Sequence, residues 1–253
     1  LVSVLMPAYN TAQFIGDAIQ SILSQTFSDF ELIIVNDGST DRTEDVVLSY
    51  QDNRIRYFKN DGNKGLTYTR NRLVGLSECK YIAFLDSDDF ATLNRLEVQY
   101  EILTSSSDLV LVSSSAMSLT DSGKTEKDNW SFNLNELQLP AHFLFYNPIV
   151  TSAVMFKKES LPAEIFRDGY PPCEDYDLWV RMLFKKKGKV IPDIHATYRL
   201  YNNSVSKRKA DDARNNRNKV IVDQLEYYFP NMYSAEDAAI HLSLVEFSLK
   251  NSL

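Results

Sequence analysis

Three carboxylates fall within four residues in Asp86-Ser87-Asp88-Asp89, directly after the apolar run 81–85. Carboxylates this close repel one another and call for a neutralising cation. The matching ion is a hard divalent one, Mg2+ or Mn2+, shared between carboxylate and phosphate oxygens. Read in isolation, an Asp-x-Asp of this kind is more often a solvated acidic turn. A calcium loop of the EF-hand kind would need glycine at position 91, where Ala91 stands. A phosphatase nucleophile would continue differently from Asp89-Phe90.

A second polar cluster, Asn36-Asp37-Gly38-Ser39-Thr40-Asp41, also follows an apolar run. Asp37 could accept hydrogen bonds from a ribose or a base N–H, and one of Ser39, Thr40 or Asp41 should cap the next helix. A third, Glu174-Asp175-Tyr176-Asp177, opens an amphipathic stretch. Acids in a first turn ordinarily complement the helix dipole. The dipole should also lower their pKa values and weaken any general base among them, unless burial or neighbouring acids raise it again. Other apparent motifs fail. Gly123-Lys124-Thr125 lacks the upstream glycine of a P-loop, and no Gly-x-Gly-x-x-Gly occurs. His142, His195 and His241 are scattered and read as structural. The sequons at Asn129 and Asn202 carry no weight without a secretory signal.

The elements that must position these clusters alternate. Strands are expected at 2–6, 31–35, 55–58 and 81–85, and helices at 11–23, 43–50 and 66–76, a βα rhythm that implies a mostly parallel sheet with helices on both faces. Ligands bind such sheets beyond the carboxyl ends of the strands, where residues 7–10, 36–40 and 86–89 lie. Later elements are a helix at 93–103, strands at 109–112 and 151–156, a loop over 120–135 and a helix at 174–186. From 207 the pattern is helical, through 220–228 and 235–249.

With 253 residues and 44% hydrophobic residues, the chain suits one generous domain. Lys and Arg total 27 against 34 Asp and Glu, a net charge of −7 that argues against a nucleic-acid partner. Two cysteines, Cys79 and Cys173, make no disulfide framework and favour a reducing compartment. No apolar run approaches the ~18 residues of a membrane span, and no signal peptide is visible. A cytoplasmic location is therefore expected. The lysine clusters at 185–187 and 207–209 read first as solvated faces, and second as a peripheral contact with the inner face of a membrane.

In order along the chain, Val2-Ser-Val-Leu-Met-Pro-Ala-Tyr-Asn10, Ser24-Gln-Thr-Phe27, Phe30-Glu-Leu-Ile-Ile-Val-Asn-Asp-Gly-Ser-Thr-Asp41 and Asn63-Lys-Gly-Leu66 form one set of motifs. Arg70-Asn71, Tyr81-Ile-Ala-Phe-Leu-Asp-Ser-Asp-Asp89, Glu174-Asp-Tyr-Asp-Leu-Trp-Val-Arg181 and Tyr198-Arg199 complete it. This set resembles the family 2 inverting glycosyltransferases, over residues 1 to about 206. The resemblance implies a GT-A fold, a Rossmann-like, mostly parallel α/β sheet flanked by helices. The division expected is a catalytic domain over 1–206 and a helical C-terminal extension over 207–253, through which a homodimer could form.

By the same resemblance, Pro7, Ala8, Tyr9 and Asp37 form a nucleotide pocket, with Asp37 near the uracil and Asn10 close by. Lys64 and Arg70 lie near the nucleotide or diphosphate. Asp86 and Asp88 are the metal motif, Asp88 as direct ligand and Asp86, with Ser87, towards the ribose or sugar. Asp175 is the catalytic base, with Glu174 beside it at the acceptor. The departing nucleoside diphosphate develops negative charge that a metal stabilises. An acceptor hydroxyl has a pKa far above 7, so a carboxylate must take its proton. The family often carries Tyr-Arg-x-His, but Tyr201 stands in the fourth place. Arg199, Ser204 and Ser206 remain candidates at the diphosphate, and Asn147, Thr151, Ser152 and Tyr170 at the acceptor.

The expected activity is Mn2+- or Mg2+-dependent transfer of a hexose or N-acetylhexosamine from a UDP-sugar to a glycan acceptor. The alternative is an inactive nucleotide-sugar-binding module acting through a protein partner. A nucleotidyltransferase would need a glycine-rich basic loop where Pro7-Ala8-Tyr9-Asn10 stands.

Overall fold

The computed structural model describes residues 1–120, 125–126, 132–200 and 209–251. Its apolar N-terminal runs form parallel strands. β1 (Val2–Ala8) lies between β2 (Phe30–Asn36) and β4 (Tyr81–Phe84), and β3 (Ile55–Lys59) flanks β2. β1 is buried over its whole length, as a parallel strand covered on both faces must be. Successive residues alternate between two cores: Leu5, Ile82 and Phe84 face one, and Val4, Met6 and Ala83 the other. α1 (Ile15–Leu23) and α4 (Arg95–Ser105) cover the second core. α3 (Leu66–Leu76), the short α5 (Gln138–His142) and α6 (Glu174–Leu183) cover the first, and α2 (Thr43–Leu48) packs beside α1.

Beyond β4 the sheet becomes mixed. β8 (Val154–Lys157) runs antiparallel to β4 and to β6 (Leu109–Thr120), and β9 (Lys187–Leu200) runs parallel to β6. β5 (Phe90–Ala91), just past the acidic cluster, pairs with β9. Here the structure corrects the sequence reading. The helix expected at 174–186 ends at Leu183, and Lys187, exposed as expected of a solvated face, begins the 14-residue strand β9. Its pattern is interrupted by Pro192 and Asp193, which are exposed and skipped in the ladder with β6: Ile191 pairs with Ser114 and Ile194 with Ser115. A bulge of this kind tolerates a proline, which has no N–H for the ladder. The expected loop at 120–135 contains β7 (Thr125–Glu126), paired with β6. The expected strand at 151–156 starts as a 3₁₀ turn, Thr151–Ala153, before β8.

The C-terminal helices α7 (Ala210–Tyr228) and α8 (Ala235–Asn251) dock on the first core, which takes Val220, Ile221, Leu225 and Val245 from them. Tyr170 donates to Asp223 at 2.7 Å, and the Gln224 amide to the Phe143 carbonyl at 2.9 Å. The three histidines sit in packing contacts with Tyr146, Thr92 and the Leu144 carbonyl. Among the described residues no helix is long and apolar enough to cross a membrane.

Candidate active site

The polar clusters meet at the carboxyl ends of β1, β2 and β4, where the strand order reverses at β1 and a sheet of this kind opens a ligand crevice. Asn10 adopts a φ of 53°, left-handed backbone that asparagine tolerates. Its Oδ1 accepts the Thr40 N–H at 2.8 Å, and its own N–H donates to Ser39 Oγ at 3.0 Å. Asp41 accepts the Thr43 N–H at 2.9 Å at the start of α2 and the Ala12 N–H at 3.0 Å. Burial raises its pKa, but the hydrogen bonds from Thr43 and Ala12 outweigh that and hold it below the usual carboxylate range.

Asp37 is buried and fastens the loop between β3 and α3. One oxygen accepts from the Asn60 amide at 2.7 Å and the Lys64 N–H at 2.8 Å, the other from the Gly65 N–H at 2.9 Å. Gly38 has a φ of 71°, and a Cβ on it would stand 2.5 Å from the Gly62 carbonyl carbon, so the two loops touch through bare backbone. Pro7 and Ala8 are buried at the end of β1, whereas Tyr9 is 43% exposed and Lys64 reaches solvent.

Deeper in, Arg70 occupies the buried face of α3 and is only 3% exposed. Nη1 donates to Glu174 at 2.8 Å, and Nη2 to the two Asp86 oxygens at 3.1 and 3.2 Å. One guanidinium therefore joins the end of β4 to the start of α6. Burial disfavours its charge, but Asp86 and Glu174 more than restore it and push its pKa above the ordinary arginine value. Among the described residues, buried Arg70 Nε and Glu174 Oε2 find no hydrogen-bond partner.

Asp175, the next residue, is half-buried; Thr151 donates to Oδ2 at 2.7 Å and the Tyr176 N–H to Oδ1 at 2.6 Å. The exception allowed to the helix-dipole lowering, burial, applies here. Burial pushes both Asp175 and Glu174 above their ordinary values, further than Arg70 pulls them back.

The turn at 86–89 is closed from inside. Ser152 Oγ accepts the Asp86 N–H at 3.0 Å and donates to Asp89. Arg199 donates its N–H to Asp89 and its Nε to the Asp88 carbonyl, both at 2.9 Å, and pairs with Asp17 at 3.2 Å. Buried Asp89, with Asp88 and Asp86 alongside, is pushed well above the usual carboxylate range. Ser87 is buried and accepts a hydrogen bond from Thr11 at 3.0 Å.

Among the described residues no three His, Cys, Asp or Glu side chains converge as a metal cage. Mg2+ and Mn2+ do not need one, since they bind through one or two carboxylates and substrate phosphates. The donor set at 86–89 is all oxygen, which fits the hard-ion chemistry of Mg2+ or Mn2+.

The acceptor candidates separate. Thr151 and Ser152 enter the site, but Tyr170 is buried against α7, and Asn147 accepts the Ile149 N–H at 3.0 Å within its own loop. Tyr201, Ser204 and Ser206 lie outside the described residues. The sequence offered no signal for Asp89 as an anchor or for Arg95, fully buried beneath the turn, whose Nη2 donates to the Phe84 carbonyl at 2.9 Å and the Val154 carbonyl at 3.0 Å.

Three comparisons match this geometry. Residues 3–209 match the model of Glycosyl transferase family 2. The putative teichuronic acid biosynthesis glycosyltransferase TuaG of Bacillus subtilis is 30% identical over 218 residues, 83% of this chain and 82% of that protein. Two solved structures share the fold. S. aureus TarS in complex with UDP-GlcNAc superposes with a TM-score of 0.71 at 17% identity, covering 96% of this chain and 71% of TarS. The mannosyltransferase PcManGT of Pyrobaculum calidifontis, with GDP-Man and Mn2+, gives 0.65 at 14% identity, covering 99% of this chain and 72% of that one. A GT-A sheet with paired acidic clusters at its switch point, together with these matches, makes the chain a glycosyltransferase belonging to Glycosyl transferase family 2.

Proposed function

We propose that this enzyme transfers a hexose or N-acetylhexosamine from a UDP-sugar to a glycan acceptor, with inversion at the anomeric carbon. The observation that carries the reading is the Arg70 bridge, which holds a donor-side carboxylate, Asp86, against an acceptor-side one, Glu174, with Asp175 adjacent. The teichuronic acid biosynthesis of TuaG, the UDP-GlcNAc bound to TarS and the Mn2+ bound beside GDP-Man in PcManGT support it.

In this reading the nucleoside lies across the end of β1, with Pro7, Ala8, Tyr9 and Asn10 along it and Asp37 at the base. Asp86 and Ser87 face the ribose and sugar, and Lys64, Arg70 and Arg199 supply positive charge around the diphosphate. Asp88 and Asp86 would hold a divalent ion, which would supply positive charge against that developing on the departing diphosphate. The acceptor oxygen attacks the anomeric carbon from the face opposite the diphosphate. Asp175 takes the hydroxyl proton as the new C–O bond forms and the bond to the diphosphate breaks. Glu174, neutralised in part by Arg70, orients the acceptor hydroxyl. Its raised pKa makes Asp175 a stronger base than a free aspartate.

The test is transfer from UDP-Glc, UDP-Gal, UDP-GlcNAc and UDP-GalNAc to lipid-linked and soluble glycans, with and without Mn2+. Metal-dependent transfer from at least one donor is expected. UDP binding without turnover on the whole panel would overturn the catalytic reading and leave a binding module.

A further inference from the structure

We infer that Thr151 and Ser152 are a positioning pair: adjacent hydroxyls on one 3₁₀ turn, one fixing Asp175 and the other fixing the 86–89 turn. The inference rests on the transferase reading and deepens it, because it assigns to two residues outside the acidic motifs the task of keeping base and donor site in register.

Three observations converge. First, the two hydroxyls reach different elements. Thr151 donates to Asp175 at 2.7 Å, 24 residues away, while Ser152 accepts the Asp86 N–H at 3.0 Å and donates to Asp89. Buried Ser and Thr in turns commonly satisfy themselves on nearby backbone, and neither does so here. Second, a 3₁₀ turn advances about a third of a revolution per residue, so neighbours diverge and can serve two sites at once. Third, the turn is anchored from beneath. Gln99 donates to the Ala153 carbonyl at 2.7 Å, and Arg95 clamps the Val154 carbonyl to that of Phe84 at the end of β4. Arg95 and Gln99 are both fully buried, which gives the turn a rigid base. An acceptor-lining role would leave the hydroxyls facing the crevice, whereas these two are 6% and 1% exposed and occupied.

The groups facing Asp175 are Arg70 from α3, Asp86 from the end of β4, and Cys173 and Glu174 from its own segment. Thr151 adds a hydrogen bond to the ionised form, which lowers the Asp175 pKa, so losing it should raise that pKa. A hydrogen bond of ordinary worth corresponds to about 0.4–1 pH unit.

The two residues should therefore fail differently. Thr151→Val is expected to lower kcat about 10-fold or more, leave the donor KM within about 3-fold, and move the acid limb of the kcat profile up by that fraction of a unit. Thr151→Ser, which keeps the hydroxyl, should return the limb to the wild-type position. Ser152→Ala should instead raise the donor KM and the metal concentration for half-activity, with the acid limb unmoved. Variants that melt earlier but keep wild-type kcat, KM and pH profile would overturn the inference, as would one identical kinetic defect in both. If the wild-type chain transfers no sugar, the transferase reading fails instead, and the pair is judged by carboxyl NMR titration of Asp175. An upward shift in Thr151→Val sustains the inference, and an unshifted titration overturns it.

Discussion

Asp175 meets two opposed demands, because a base must be ionised near neutral pH while burial makes that ionisation costly. Its folded pKa lies above the ordinary aspartate value of 3.8. The folded state therefore holds extra proton, and the stability it contributes is present below the unfolded value and lost as pH rises through the folded one. Asp175→Asn should lower transfer about 10²–10⁴-fold with donor affinity kept. It should also melt above wild type near neutral pH, the gap closing near about pH 3, where wild-type Asp175 is protonated. Thermal scans across that range, paired with initial rates, check both. A variant that melts earlier at neutral pH yet transfers normally would make Asp175 a helix-starting acid and nothing more. Asp88→Ala should behave oppositely, losing metal-dependent donor binding and activity together, as UDP-sugar titrations with and without Mn2+ would read. Arg70 is the third residue of consequence. Removing its charge in Arg70→Met strands Asp86 and Glu174, and should cost about 3–5 kcal/mol in denaturant unfolding. Arg70→Lys should cost less but not recover activity, since a point charge cannot reproduce the forked contact.

At the scale of elements, strands deliver the site and backbone contacts between loops set its shape. Gly38 is the tightest of these, with its positive φ and the Gly62 backbone against it. Gly38→Ala should cost more than about 1 kcal/mol, because alanine there is both strained and blocked. It should also weaken UDP binding, since separating the two loops breaks the hydrogen bonds from Asn60, Lys64 and Gly65 to Asp37. Calorimetric titration with UDP, beside a denaturant curve, reads both effects. The long strand β9 belongs at this scale too. It brings Arg199 to the 86–89 turn from 110 residues away in sequence, which no local pattern around Tyr198-Arg199 encodes.

For the molecule as a whole, the C-terminal helices share the core that carries the acidic end of α6. Ile221 is fully buried in the same cluster as Trp179 and Tyr176. Ile221→Ala should lose about 2–5 kcal/mol and shift one cooperative transition, seen alike by tryptophan fluorescence and by loss of UDP binding. Two separated transitions would show that residues beyond 206 fold as an independent unit.

The sequence by itself determined the parallel half of the sheet, since strands buried on both faces are written as largely apolar runs, as at 2–6 and 31–35. It also placed Asp37, Asp86 and Asp88, because polar residues that end such runs have nowhere to go but the carboxyl edge of the sheet. Helix α3 was legible to the residue at 66–76. What only the tertiary structure decided is non-local: Arg70 meeting Glu174 across 104 positions, the 3₁₀ turn reaching two acidic clusters, and the strand at 187–200 whose bulge hides its period. The sign of the Asp175 shift belongs with these. The helix dipole is written locally in Glu174-Asp175 and argues for a low pKa, but burial depends on how α3, β4 and the 3₁₀ turn close over the carboxylate, and desolvation outweighs the lowering by Arg70, Thr151 and the Tyr176 N–H.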